Sequence, residues 1–95
     1  MVVEAFGDMF HNKTMHKNFD EKEYQNFLIL LGQNVRNVRE SAKLSQEQLA
    51  FGFESARNYI GCVERAEKTP SLKTLFKISK VLNVRVEDLL KDTMK

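Results

Sequence analysis

Between Glu21 and Ala42, apolar side chains fall at Tyr24, Phe27, Leu28, Leu31, Val35, Val38 and Ala42. Steps of three and four keep them on one side of a helix. Asp20 stands ahead as an N-cap with Glu23 three residues on, so the spacing predicts a first helix over Glu21–Ser41. Arg36, Asn37 and Glu40 fall on its opposite face. Ser45 followed by Gln48 has the form of a capping box, which starts a second helix at Gln46 and buries Leu49, Ala50 and Phe53. A third stripe, Tyr59, Ile60 and Val63, leaves Arg57, Asn58, Gly61 and Cys62 on the other side of a helix spanning about 56–65. Pro70-Ser71 opens a fourth helix, with Leu72, Leu75, Phe76, Ile78, Ser79 and Leu82 as its inner side. Asn83 tolerates the left-handed backbone that ends it. A fifth helix, Val86 to Lys91, carries Leu89 and Leu90.

The second and third patterns are short and joined by a turn too tight for parallel packing, which reads as a helix-turn-helix. A helix that buries one stripe and presents short polar and basic residues near its start has the form needed to lie in a DNA major groove. The plainer alternative is a helix face that is merely exposed. The residue order decides between them. Leu-Ser-Gln-Glu-Gln-Leu-Ala (44–50), Tyr59-Ile60, Val-Glu-Arg (63–65), Thr-Pro-Ser-Leu (69–72) and Asn-Val-Arg-Val-Glu-Asp-Leu-Leu (83–90) closely resemble the lambda/434 repressor and Cro-like (Xre) family. The resemblance runs from Leu31-Gly32 through Arg36 and Val38-Arg39-Glu40 to Leu90 without insertion or deletion.

That resemblance implies an all-α fold, a five-helix lambda-repressor-like DNA-binding domain over 20–95, with residues 1–19 as an N-terminal extension. It implies an internal ion pair between Arg39 and Glu64. It places Gln46 at a phosphate or base edge, and Arg57, Asn58 and Cys62 at groove-facing positions. Arg57 is suited to guanine, Asn58 to adenine and Cys62 to a thymine methyl. Lys43, Lys68, Thr69 and Lys73 are candidate phosphate contacts. The turn departs from the family pattern, with Glu54, Ser55 and Ala56 where a glycine, a buried aliphatic and a small hydroxyl are usual. A left-handed backbone costs other residues about 1–2 kcal/mol. Ser55 is therefore a candidate replacement cap, and Phe51 and Phe53 are expected to fill the space it leaves. Ala66 also replaces a family glycine, so that helix end is expected to fray or to be re-formed by Lys68 and Thr69.

Composition narrows the function. The 95 residues carry a formal net charge of +2, from 15 Lys and Arg against 13 Asp and Glu, so DNA binding requires a local basic patch. A single cysteine excludes an internal disulfide, and no apolar run approaches the length of a membrane span. The apolar N-terminus carries Glu4 and Asp8 and lacks a positive leader, which predicts a soluble cytoplasmic protein. Val2, Val3, Phe6, Met9 and Phe10 fit a short amphipathic helix, either covering one end of the core or joining a dimer contact. His11 and His16 lie five apart with no Cys or carboxylate cluster, so neither a metal nor another cofactor is expected. No nucleophile–base pair or glycine-rich phosphate loop appears, which argues against an enzyme. The reading is a transcriptional regulator that binds a double-stranded operator, an inverted repeat, as a homodimer. The alternative is an antitoxin-like module with a protein partner and secondary or lost DNA binding.

Overall fold

A computed structural model describes residues 18–53, 55–56 and 58–94. Expectations for the segment 1–17, for Glu54 and for Arg57 lie outside the described residues. Within them the chain folds as α1 (Glu21–Ser41), α2 (Gln46–Gly52), α3 (Tyr59–Glu64), α4 (Leu72–Leu82) and α5 (Val86–Leu89), with no strand among the described residues. The caps follow the sequence. The Asp20 carboxylate accepts from the Lys22 amide at 2.9 Å. Ser45 and Gln48 form a reciprocal capping box, Ser45 Oγ accepting from the Gln48 amide at 3.0 Å and Gln48 Oε1 from the Ser45 amide at 2.8 Å. Ser71 Oγ accepts from the Thr74 amide at 3.1 Å.

The apolar stripes meet in one core, with Leu28, Leu31 and Val35 from α1, Leu49 and Ala50 from α2, and Ile60 and Val63 from α3. Leu75, Ile78 and Leu82 from α4 and Leu89 from α5 complete it. The long α1 packs on both α3 and α5, while α4 backs α2 and α5. No described helix is long and apolar enough to cross a membrane.

Three helix ends close by left-handed turns at non-glycine residues: Lys43 (φ 62°), Ala66 (φ 61°) and Asn83 (φ 58°). Each is fully hydrogen-bonded. The Leu44 amide reaches Arg39 O at 3.2 Å, the Glu67 amide reaches Cys62 O at 2.8 Å, and the Val84 amide reaches Ser79 O at 2.9 Å. Ala66 therefore does not fray, and neither Lys68 nor Thr69 rebuilds that end. The 6→1 and 5→2 backbone bonds, the latter from the Ala66 amide to Val63 O at 3.0 Å, make a complete Schellman cap at a residue with a Cβ.

Several packing expectations are corrected. Ala42 caps α1 and is exposed rather than core. Leu72 and Phe76 remain 73% and 55% exposed, because Leu75, Ile78, Ser79 and Leu82 already fill the inner face of α4 and the other two fall on its flank. Phe51 fills no space beside Ser55, being 84% exposed, whereas Phe53 does pack against the core. The third helix is shorter than the expected 56–65, and Ser55 does not cap it. Its N-cap is Asn58, without a side-chain capping bond, and the Ser55 amide instead closes on Ala50 O at 2.8 Å. α5 stops at Leu89, two residues short of Lys91. Asn34 Nδ2 on α1 donates to both Leu89 O (3.0 Å) and Lys91 O (2.8 Å), holding the last carbonyl of α5 and one in the turn beyond it.

Candidate nucleic-acid interface

α3 is six residues long, too short to be stable alone, so its position is set by what it touches. Ile60 and Val63 are 0% and 1% exposed in the core. At the other end, Glu64 turns back toward α1. Its Oε2 accepts from Arg39 Nε at 2.7 Å and its Oε1 from Arg39 Nη2 at 3.1 Å, a bidentate pair with side chains only 9% and 3% exposed. Arg39 Nη1 donates to Leu44 O at 2.8 Å, so one guanidinium ties α1, the entry to α2 and α3. The hydrogen bonds to Glu64 raise the Arg39 pKa above its ordinary value, against the opposing pull of burial. The expected ion pair is thus present and its geometry is that of a structural clamp.

Where α1 crosses α3 the approach is backbone to backbone. A Cβ at Gly32 would stand 2.6 Å from the Glu64 carbonyl oxygen and 2.7 Å from that of Val63, which only glycine permits. Gly32 belongs to the stretch that resembles the family, but nothing in the apolar periodicity marks this contact.

With Ile60, Val63 and Glu64 turned inward, Asn58 is exposed and Cys62, one turn later, is half-buried. Gly61, expected on the outer side, is buried because the side chains of Gln46 and Arg65 lie over it. Gln46 is half-buried, and its Nε2 donates to Glu64 Oε1 at 2.9 Å. In this conformation its amide belongs to the clamp. Arg65 pairs with Glu67, Nε to Oε2 at 3.0 Å, and its Nη2 stands 3.9 Å from Cys62 Sγ. Both side chains of this pair are over half exposed. The hydrogen bond between them raises the Arg65 pKa and lowers that of Glu67. Arg65 was not singled out by the sequence as part of the outer face.

Of the candidate phosphate contacts, Lys68 and Thr69 follow the end of α3, Lys73 lies in the first turn of α4, and Lys43 is the left-handed residue between α1 and α2. All four are exposed. Among the described residues no group of three His, Cys, Asp or Glu side chains could hold a metal ion.

A short helix carried on a capped neighbour, clamped at its C-terminal end and open at its N-terminal end, defines a helix-turn-helix DNA-binding domain. The family model described as Helix-turn-helix matches residues 35–89, and the chain belongs to that family of transcriptional regulators, which are DNA-binding proteins and not enzymes. The chain is 46% identical over 66 residues to Control protein C.BamHI of Bacillus amyloliquefaciens, covering 68% of this chain and 82% of that protein. It is 48% identical over 61 residues to Control protein C.SmaI of Serratia marcescens, covering 64% and 73%. Among solved structures it resembles the restriction-modification controller protein C.AhdI from Aeromonas hydrophila, with TM-score 0.64, 37% identity, and coverage of 65% of this chain and 94% of that one.

Proposed function

We propose that this protein is a controller of the restriction-modification type, binding an inverted-repeat operator as a homodimer with α3 in the major groove. The observation that carries it is the division of α3. Ile60, Val63 and Glu64 are locked inward while Asn58 is left open at the end that leads into a groove. Arg57 and Asn58 choose bases, Arg57 through a bidentate pair with guanine, and Cys62 meets a thymine methyl. Lys43, Lys68, Thr69 and Lys73 hold phosphates and set affinity without choosing sequence. Similarity to two control proteins over most of their length, and to a solved controller over nearly all of its chain, supports the regulatory setting.

Dimerisation draws its support from apolar residues left exposed on the domain, not from α5. The apolar residues of α5 are used within the domain, Leu89 in the core and Val86 and Leu90 packed against it. Exposed Leu72, Phe76, Phe19 and Met94 remain for contact with a second copy. Two copies would read half-sites about 34 Å apart.

The test is selection of duplexes from a random pool, together with salt-dependent binding to the DNA immediately upstream of the protein's own coding sequence. An inverted repeat, bound by two copies with affinity falling linearly in log salt, is the expected result. Binding that shows no sequence preference at any salt concentration would overturn the reading.

A further inference from the structure

Gln46 opens α2, where a side chain would be free to reach outward toward DNA. It does the opposite. Its Nε2 donates at 2.9 Å to Glu64 Oε1, the oxygen that also accepts from Arg39 Nη2 at 3.1 Å. The Glu64 side chain is 3% exposed, so this bond is charge-assisted and screened from solvent. Withdrawing the amide would leave that carboxylate oxygen to a single donor in a site that water barely reaches.

Gly61 supplies a second, independent observation. Glycine inside a helix is unfavourable by propensity. Yet here a Cβ would stand 3.1 Å from Gln46 Oε1 and 3.0 Å from Arg65 Nη1, tighter than ordinary van der Waals contact. The missing side chain at 61 is what lets the Gln46 amide pass over α3 on its way to Glu64.

We propose that Gln46 is a positioning residue: its amide is a strut that crosses α3 at Gly61, anchors on Glu64, and fixes the tilt of α3 relative to α2. It governs operator selectivity through Asn58 and Cys62 without itself touching a base or a phosphate. This rests on the reading that α3 enters the groove, and it changes the role that the family resemblance gives to Gln46.

Two variants test it. Gln46→Leu keeps the bulk and removes the amide, and Gly61→Ala keeps the amide but crowds its path while raising the helix propensity of α3. Both are measured on a duplex that the wild-type protein selects from a random pool, on its single-base-pair variants, and on a shuffled duplex across a salt series. Each variant is expected to lose about tenfold in affinity for the selected duplex, spread across the half-site. Binding to the shuffled duplex and the salt slope stay unchanged, and the double variant loses no more than either single one. In the free protein the α3 backbone amide resonances shift in both variants, while Gly61→Ala melts no lower than wild type.

A loss in Gln46→Leu confined to one base-pair position would make Gln46 a base reader, and a reduced salt slope would make it a phosphate contact. Either result overturns the proposal, as do additive losses or unshifted α3 resonances. If the wild-type protein selects no duplex, the DNA-binding reading fails by itself, and the spectra of the free protein still decide whether Gln46 holds α3.

Discussion

Replacing Arg39 by Met retains the apolar stem along α1 and removes only the guanidinium. Glu64 then loses both bonds of its bidentate pair and keeps one donor, Gln46 Nε2, while its side chain stays 3% exposed. Leu44 O also loses its donor. Breaking a buried pair by removing one partner costs about 3–5 kcal/mol, against a total of roughly 5–15 kcal/mol for a small domain. At roughly 4–8 °C for each kcal/mol, the melting temperature should fall by about 15 °C or more. The pH dependence gives a second readout. Arg39 has a raised pKa, so its contribution is fully present below the ordinary arginine value and is lost only as pH rises through the higher folded value, far above neutrality. Urea unfolding should therefore show the same deficit in the variant at pH 7 and at pH 9, both far below the range in which Arg39 loses its proton. Adding Glu64→Leu should restore much of the loss at pH 7 by replacing the orphaned charge with an apolar group. A single variant within about 1 kcal/mol of wild type at pH 7, or a double variant no better than the single, would refute the clamp.

Gly32→Ala is expected to destabilise by about 2–3 kcal/mol and to abolish operator selection, because the added methyl meets backbone carbonyls 2.6 and 2.7 Å away and α3 must move; chemical denaturation with binding to the selected duplex checks both. Ala66→Gly should stabilise by about 0.5–1 kcal/mol, since the left-handed strain at φ 61° outweighs the added freedom of the unfolded chain, and a lowered melting temperature would contradict this. Asn34→Ala should cost about 1–2 kcal/mol by removing the donors to Leu89 O and Lys91 O, with amide exchange of α5 accelerated before that of α3.

Local signals told most about element boundaries. Asp20, Ser45 with Gln48, Ser71 and Asn83 each mark a helix end through a bond that one side chain or one backbone angle can make, so the starts of α1 and α2 and both ends of α4 are readable from neighbouring residues. The Arg39–Glu64 pair was not legible from periodicity. It came from resemblance to the Cro-like family, because a contact between residues 25 apart leaves no local trace. Other features depend on where a second helix lies. Leu72 and Phe76 satisfy the α4 period yet stay outside, since a stripe wider than the facing surface must spill over. Ala66 reads locally as a poor helix end. It holds because the Glu67 amide finds Cys62 O, and that bond offsets the strain of the left-handed residue. Gln46 was assigned outward by analogy and Gly61 by its position on the helical wheel. The hydrogen bond from Gln46 to Glu64 crosses between the two helices and lays the Gln46 side chain over Gly61, a contact that neither the resemblance nor the helical wheel shows.

These features share one arrangement. Every strong restraint on α3 acts on its second half: the Glu64 carboxylate is gripped by Arg39 and Gln46, the Val63 and Glu64 carbonyls lie against Gly32, and the helix end is closed by the Ala66 turn. Its first half has Ile60 in the core with Tyr59 packed against it, and Asn58 stands exposed with no side-chain capping bond. A recognition element needs this asymmetry. Side chains that meet base edges must be free of internal partners, while their aim must be held to a fraction of an ångström, and on a helix of six residues both demands cannot be met at the same end. Placing the charge pair, the close glycine contact and the cap at the C-terminal end lets the residues at the N-terminal end change with little effect on stability. Substitution of Asn58 should therefore alter which duplex is selected while leaving the melting temperature nearly unchanged, whereas substitution of Arg39 or Gly32 should lower both stability and binding.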